Sequence, residues 1–242
     1  VAGIEKTNSD YIAMACREEL DPWMRQRAVR TGAELIEASL IGLEVDADGV
    51  TAVIRRKATR QKEKIRASVV IGADGAYSTT AKALGLDRLP RCIAIQHRMY
   101  LPPDKMEKWQ DTAALYLGQT VSPDLYAWVF PKIDHIAVGC GAGPGNTSEA
   151  RHLLANLKER IAIDLDGGEV FMEEAHALPM HPRKNIAFDR AMLIGDAAGL
   201  VVGTSGDGIY WAMKSGHVAA QTIIEAQGDF SYSKLRAYEK HW

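Results

Sequence analysis

The sequence has no closely spaced cysteines, no excess of charge of either sign and no long apolar run, and each absence excludes a class of function. Its 3 cysteines, Cys16, Cys92 and Cys140, are far apart and make no Cys-x-x-Cys pair. That spacing argues against a disulfide framework and a thiolate zinc site, and fits a reducing, cytoplasmic compartment. The 29 basic and 31 acidic residues leave a net charge of -2, so no basic field points to nucleic acid. The best apolar stretch, residues 191–203, is interrupted by Asp196 and falls short of the ~20 residues of a spanning helix. Residues 1–10 lack the basic-then-apolar pattern of a leader peptide, and the start at Val1 reads as internal. His97, His135, His176 and His181 show no metal-ligand spacing, so no metal site is expected.

What is present is enough apolar material for a sizeable core, 47% of 242 residues. Leu20, Trp23, Met24 and Ala28 recur at helical spacing and predict a helix over residues 17–31, stopped by Gly32. Strand-like runs follow at 34–38, 41–45, 50–56 and 64–71, with the basic stretch 55–64 as a solvated hairpin tip. Residues 91–187 read as mostly antiparallel strands at 92–101, 113–118, 125–130, 136–139 and 170–178, interrupted by one helix over 148–164. A short buried strand at 191–194 then passes through a glycine-rich turn into a helix over 208–225.

Two strand-to-Gly-Asp turns carry the chemistry. Residues 191–194 end in Gly195 and Asp196, followed by small residues that let a ligand approach the backbone. Asp196 is placed either to bind a ribose hydroxyl or to cap its own turn. Residues 68–71 run into Gly72, Asp74 and Gly75 and a helix over 79–84; Gly72 and Gly75 let the turn pass close to a phosphate or ribityl chain, and the alternative is that Asp74 caps the helix. Gly206 and Gly208 lead into the long helix, whose first amides suit negative charge. Tyr126, Trp128 and Phe130 alternate, so they share one face of a strand, either the core side of a sheet or an aromatic wall for an apolar ligand. Residues 139–145 have glycines but read as a loop.

Gly72-Ala-Asp-Gly-Ala-Tyr-Ser78 with Gly195-Asp-Ala-Ala-Gly199 and Arg17-Glu-Glu-Leu-Asp21 resembles the hydroxylase-like FAD superfamily. Within it, Ser122-Pro-Asp-Leu-Tyr-Ala-Trp-Val-Phe-Pro131, His135-Ile-Ala-Val-Gly139 and Ser205-Gly-Asp-Gly-Ile-Tyr-Trp-Ala-Met-Lys-Ser-Gly216 are most similar to the geranylgeranyl reductase family, particularly its (bacterio)chlorophyll-type members. The resemblance implies an α/β fold with an α+β insert: a three-layer FAD-binding domain, incomplete, over 1–90 and 188–242, with an antiparallel substrate domain over 91–187. It also implies an enzyme in which FAD takes hydride from NADPH, or electrons from a ferredoxin, and saturates a geranylgeranyl chain. Asp196 would bind FAD ribose or pyrophosphate, with Gly195 in its turn. Gly72, Asp74 and Gly75 would lie near the pyrophosphate and nicotinamide, Arg17 near the cofactor, Gly206 to Ile209 at the flavin ring, and Tyr126, Trp128 and Phe130 along the substrate.

A membrane-resident substrate implies peripheral membrane contact. Tyr210, His217 and Cys140 are candidate proton donors that the sequence does not rank. The family's opening Gly-x-Gly-x-x-Gly turn is missing and the chain stops at Trp242, where family members continue with further helices, so the resemblance implies that both ends are truncated. Thr204 stands where the chlorophyll-type pattern expects cysteine. An aromatic hydroxylase or halogenase on the same scaffold and a non-catalytic isoprenoid-binding fragment are the alternatives.

Overall fold

A computed structural model describes residues 14–242, so the reading of residues 1–10 lies outside the described residues. Helix α1 (Arg17–Arg30) places Glu18 and Glu19 in its first turn and Arg27 and Arg30 in its last, which suits the helix dipole at both ends. It buries none of its side chains, and Trp23 stays 48% exposed, so the apolar spacing marks a helix but not a core face.

Strands β1 (Ala38–Val45), β2 (Val50–Arg56) and β3 (Lys62–Ala67) form an antiparallel meander. Asp46 closes its first turn by accepting from the N–H groups of Asp48 at 2.9 Å and Gly49 at 3.0 Å. Two details differ from the sequence pattern. Residues 34–37 lie outside the strand, and β1 passes through an irregular step between Leu40 and Gly42. The run 64–71 is not one strand: after Ala67 the chain leaves the meander, and β4 (Val70–Gly72) enters a second sheet.

Arg190 explains that break. Its guanidinium donates to Ala47 O at 2.6 and 3.0 Å and to Ser68 O at 3.1 Å, while its own carbonyl accepts from Val70 N at 2.9 Å. One side chain thus pins the meander to the second sheet, on a backbone held at a φ of 56°. Arg190→Ala is expected to cost about 2 kcal/mol by losing these bonds while keeping the unfavourable φ, and Arg190→Gly about 1 kcal/mol less. Urea unfolding of the two variants checks the order.

The second sheet has the order β10 (Ala187–Phe188), β11 (Ala191–Leu193), β4, with β11 and β4 parallel. Beside it lie α2 (Thr79–Ala83), α6 (Gly195–Ala198), α7 (Ile209–Glu225) and α8 (Tyr232–Leu235), around a core of Met192, Leu193, Val218, Ala219, Leu235 and Tyr238. Tyr238 donates its hydroxyl to Leu193 O at 3.0 Å, so its one polar atom is satisfied inside that core.

The third sheet has the order β6 (Ala114–Gly118), β7 (Ser122–Pro131), β8 (Ile136–Ala142), β5 (Arg91–Tyr100), β9 (Glu169–Pro179), all antiparallel. A short helix, α3 (Pro103–Glu107), follows β5. The expected helix over 148–164 is instead a 3-10 turn, α4 (Ala150–Arg160) and α5 (Ala162–Leu165), broken at Ile161 with φ -113° and ψ 22°. Leu153, Leu154 and Leu157 of α4 pack with Ala127, Val129, Val138 and Cys140. Residues 139–142 belong to β8 rather than to a loop, and the chain turns only at Gly143.

Candidate functional site

β4 and β11 are parallel neighbours, with Leu193 opposite Gly72, so their carboxyl ends and the two Gly-Asp turns emerge on the same side. That end of a parallel sheet is where ligands bind in open α/β folds. Gly195 sits at a φ of 52°, and a Cβ there would lie 3.1 Å from the Cβ of Ala212. Its N–H donates to Ser215 Oγ at 2.9 Å, and Ser215 donates in turn to Ala212 O at 3.0 Å. Ser215, fully buried, therefore locks the Asp196 turn onto α7.

Asp196 is half-buried in α6. Burial pushes its carboxyl above the ordinary carboxylate range, and the charge of Arg17 partly opposes that shift. Among the described residues no side chain or amide donates to its carboxylate, and the Cβ position of Gly208 lies 3.3 Å from Asp196 Oδ1. A desolvated acid with no donor among the described residues, beside the start of α7, has lone pairs free to accept from hydroxyl groups. Gly208 precedes α7 with no side-chain cap, which leaves the first-turn amides available.

The other turn divides its duties. Asp74 accepts from Thr80 N at 2.8 Å, Thr80 Oγ1 at 3.1 Å and the Ser78 hydroxyl, while Ser78 caps α2 by accepting from Ala81 N at 2.9 Å. Its carboxylate thus serves the α2 end. Gly72 is set by packing, because a Cβ would meet Leu193 and Thr80 at 2.7 Å. Gly75, at a φ of 77° with nothing within 4 Å of its Cβ position, is the open point of the turn. Arg17 forms a bidentate pair with Asp21 at 2.6 and 2.9 Å, so its guanidinium is held on α1 while its charge is felt at Asp196.

The aromatic strand meets this site. Tyr126 donates its hydroxyl to the carbonyl of Ser205, within the turn that heads α7, and Leu178 of β9 approaches Gly206 to 3.5 Å of its Cβ position. Trp128 lies 5.8 Å from Tyr126 and stacks on Phe130 at 5.9 Å. Ala127 and Val129 are the core side of β7, so the three aromatics occupy the opposite, half-buried face. These three side chains therefore lie outside the core packed beneath α4. Gly139 of β8 makes room for the Trp128 ring, whose buried Nε1 has no partner among the described residues. Through Tyr126, the aromatic face of the third sheet meets the turn that heads α7.

Of the proton-donor candidates, Cys140 is withdrawn: it points into the core beneath α4, bonds Ala150 O at 3.4 Å, and burial pushes its thiol up to about 11. Tyr210 and His217 are exposed on α7.

Arg98, absent from the sequence reading, is nearly buried and pairs with Glu18 of α1 at 2.5 Å and Glu174 of β9 at 2.8 Å. It ties α1, and with it Arg17, to the third sheet. No periodicity or motif marks it; on β5 it pairs with Ala137 and Met172, beside a register shift between Arg98 and Met99.

Gly-Asp turns at the carboxyl ends of parallel strands, small residues beneath a helix N-terminus and a half-buried acid with no donor among the described residues define a dinucleotide-cofactor-binding domain. The residues fit FAD: Asp196 is available for ribose hydroxyls, and the open Gly75 turn and the first amides of α7 are available for pyrophosphate and the anionic flavin edge. The chain belongs to the FAD binding domain family, which matches it over residues 1–241. It is similar to a geranylgeranyl diphosphate reductase of Synechocystis, 39% identical over 97% of this chain and 60% of that protein. An Arabidopsis thaliana chloroplastic geranylgeranyl diphosphate reductase is 37% identical over 96% of this chain and 52% of that protein. Among solved structures, a geranylgeranyl bacteriochlorophyll reductase-like protein from Thermoplasma acidophilum superposes with a TM-score of 0.82 at 29% identity, over 93% of this chain and 58% of that one. The chain therefore spans between about half and three fifths of the length of these relatives.

Proposed function

We propose that this protein is an FAD-dependent reductase that saturates double bonds of a geranylgeranyl chain, carried on a diphosphate, a (bacterio)chlorophyll or a lipid. NADPH is the proposed donor, with a reduced ferredoxin as the alternative. The observation that carries this reading is the bond from Tyr126 to Ser205, which sets the aromatic wall of β7 against the turn at the start of α7. Similarity to the cyanobacterial and plant reductases supports the substrate class. In this reading residues 1–90 and 188–242 form the cofactor part and 91–187 the substrate part.

Bound there, FAD supplies the hydride chemistry. The chain's own residues bind and orient. Asp196 accepts from the ribose, Ser215 holds its turn in place, and Gly206, Gly208 and Ile209 face the ring. Tyr126, Trp128 and Phe130 line an apolar path in which a polyprenyl chain, with no hydrogen-bonding groups, loses water without leaving polar groups unpaired. Among the described residues no helix is long and apolar enough to cross a membrane, so a membrane-resident substrate is met by surface contact in this proposal.

The test is the flavin spectrum of the protein under anaerobic conditions. NADPH is expected to bleach the bound flavin, and a geranylgeranyl compound to restore the oxidised spectrum without oxygen. Recovery only on admitting oxygen, with hydroxylated product, would replace this reading by the hydroxylase one. Isoprenoid binding with no flavin at all would leave the non-catalytic reading.

A further inference from the structure

The basic hairpin has no part in the site above. Of the chain's 29 cations, Arg55, Arg56, Lys57, Arg60, Lys62, Lys64 and Arg66 fall within residues 55–66, against one anion, Glu63. Three are neutralised locally: Arg56 by Glu63 at 2.7 Å, Arg66 by Asp46 at 2.6 Å and Lys57 by Glu37 at 3.9 Å. Among the described residues no carboxylate reaches Arg55, Arg60, Lys62 or Lys64.

The register collects these four at one end of the hairpin. Arg55 is directly opposite Lys62, and Val53 is opposite Lys64, so Arg55, Lys62 and Lys64 share one face. That face is turned away from buried Val50 and Ile54. Arg60 stands at the tip on a φ of 60°. Like charges directly opposite on neighbouring strands, with Cβ atoms ~5 Å apart, destabilise the pair. A chain of net charge -2 thus concentrates unpaired cations where they cost stability.

We propose that this face of the β2–β3 hairpin binds an anionic lipid bilayer. The composition favours lipid over protein or nucleic acid. Residues 55–64 contain arginine but no aromatic or methionine side chain to fill the desolvated core of a protein interface, and lysine is depleted in such interfaces. Single-stranded nucleic acid would likewise need stacking platforms. The only apolar side chain at the tip is Ala58, so nothing there inserts, and contact is confined to the headgroup layer. Attraction of this kind acts over a Debye length of about 8 Å and outweighs the weak overall charge locally. The choice of a lipid occupant rests on the polyprenyl reading, because such a chain resides in a bilayer.

The experiment is co-sedimentation of the protein with vesicles of equal parts phosphatidylcholine and phosphatidylglycerol, against pure phosphatidylcholine. Binding to the anionic vesicles only, lost at high salt, is expected. Each of Arg55→Gln, Arg60→Gln, Lys62→Gln and Lys64→Gln should weaken partitioning about fivefold, and the combined variant at least a hundredfold. A control with Lys184→Gln and Lys234→Gln, both exposed elsewhere, should bind nearly as the original does. The thermal midpoint of the combined variant should be unchanged or slightly raised by relief of the Arg55–Lys62 repulsion, which separates loss of binding from loss of fold. Equal binding to neutral vesicles, undiminished binding of the combined variant, or affinity only for acidic proteins or nucleic acid overturns the proposal. No flavin enters this measurement, so its failure and the failure of the reductase reading are distinguishable.

Discussion

Gly139→Val is expected to cost about 3 kcal/mol of stability and to lower the thermal midpoint by about 10 °C. Gly139 lies on β8, paired on one side with Trp128 and on the other with Gln96, in the middle of the five-stranded sheet. A Cβ there would meet the Trp128 ring and, at 2.7 Å, the carbonyl oxygen of Ile95. The ring can swing away; the carbonyl is backbone in a ladder and cannot. The substitution therefore disturbs the sheet and displaces the middle aromatic of the proposed substrate wall. Urea unfolding measures the first effect, and intrinsic tryptophan emission the second. Gly139→Ala should fall between the two proteins, and adding Trp128→Leu should recover part of the loss, since it removes the movable half of the collision. An unchanged midpoint for Gly139→Val would mean that the ring does not occupy this space.

Asp196→Asn is expected to act with opposite signs on stability and on FAD affinity. Burial raises the folded-state pKa of Asp196 above its unfolded value. The folded chain therefore holds that proton more tightly, and the stability so gained is present below the unfolded pKa and lost as pH rises through the folded one. At neutral pH the desolvated carboxylate is a cost, partly relieved by the charge of Arg17. Asparagine removes that charge, so the cofactor-free protein should melt at the same or a higher temperature at pH 7, and its loss of stability between acid and neutral pH should be smaller. FAD binding should weaken about 10- to 100-fold, the worth of a hydrogen bond to a charged acceptor. Titration of the apo protein with FAD, by flavin fluorescence, gives the affinity directly. Unaltered affinity would remove Asp196 from the cofactor site.

The two Gly-Asp turns, the hairpin at 55–64 and the alternation of β7 were legible in the sequence because each depends on local chemistry: glycine conformations, side-chain caps and a period of two. Element boundaries failed where the decisive contact was distant in sequence. Residues 64–71 read as one strand, yet Arg190, more than a hundred residues on, ties Ser68 and Val70 into a different sheet. The apolar spacing of α1 predicted a helix correctly, but its Trp23 remains largely exposed. Residues 139–142 looked like a glycine loop because periodicity cannot register that Trp128 supplies the side chain their strand lacks.

Within the site, Asp196 and Asp74 are equivalent as sequence, each an acid after a buried strand. Tertiary structure separates them: Thr80 and Ser78 occupy the Asp74 carboxylate, whereas that of Asp196 is desolvated and has no donor among the described residues. Likewise Cys140, Tyr210 and His217 stood level as proton donors until α4 was found to cover the face of β8 that carries Cys140. Ser215 and Arg98 were invisible, because their roles lie in partners about 20 and 80 residues away, Gly195 and the pair Glu18 and Glu174.

By itself the sequence determined that the chain makes two strand-to-Gly-Asp turns and an aromatic strand, since backbone sterics and side-chain period act within a few residues. Only the tertiary structure decided that α4 takes the Ala127–Val129 face of β7 and leaves Tyr126, Trp128 and Phe130 on the opposite face, where Tyr126 meets Ser205. The reason is physical: alternation fixes which side chains share a face, but which face is buried depends on what packs against it.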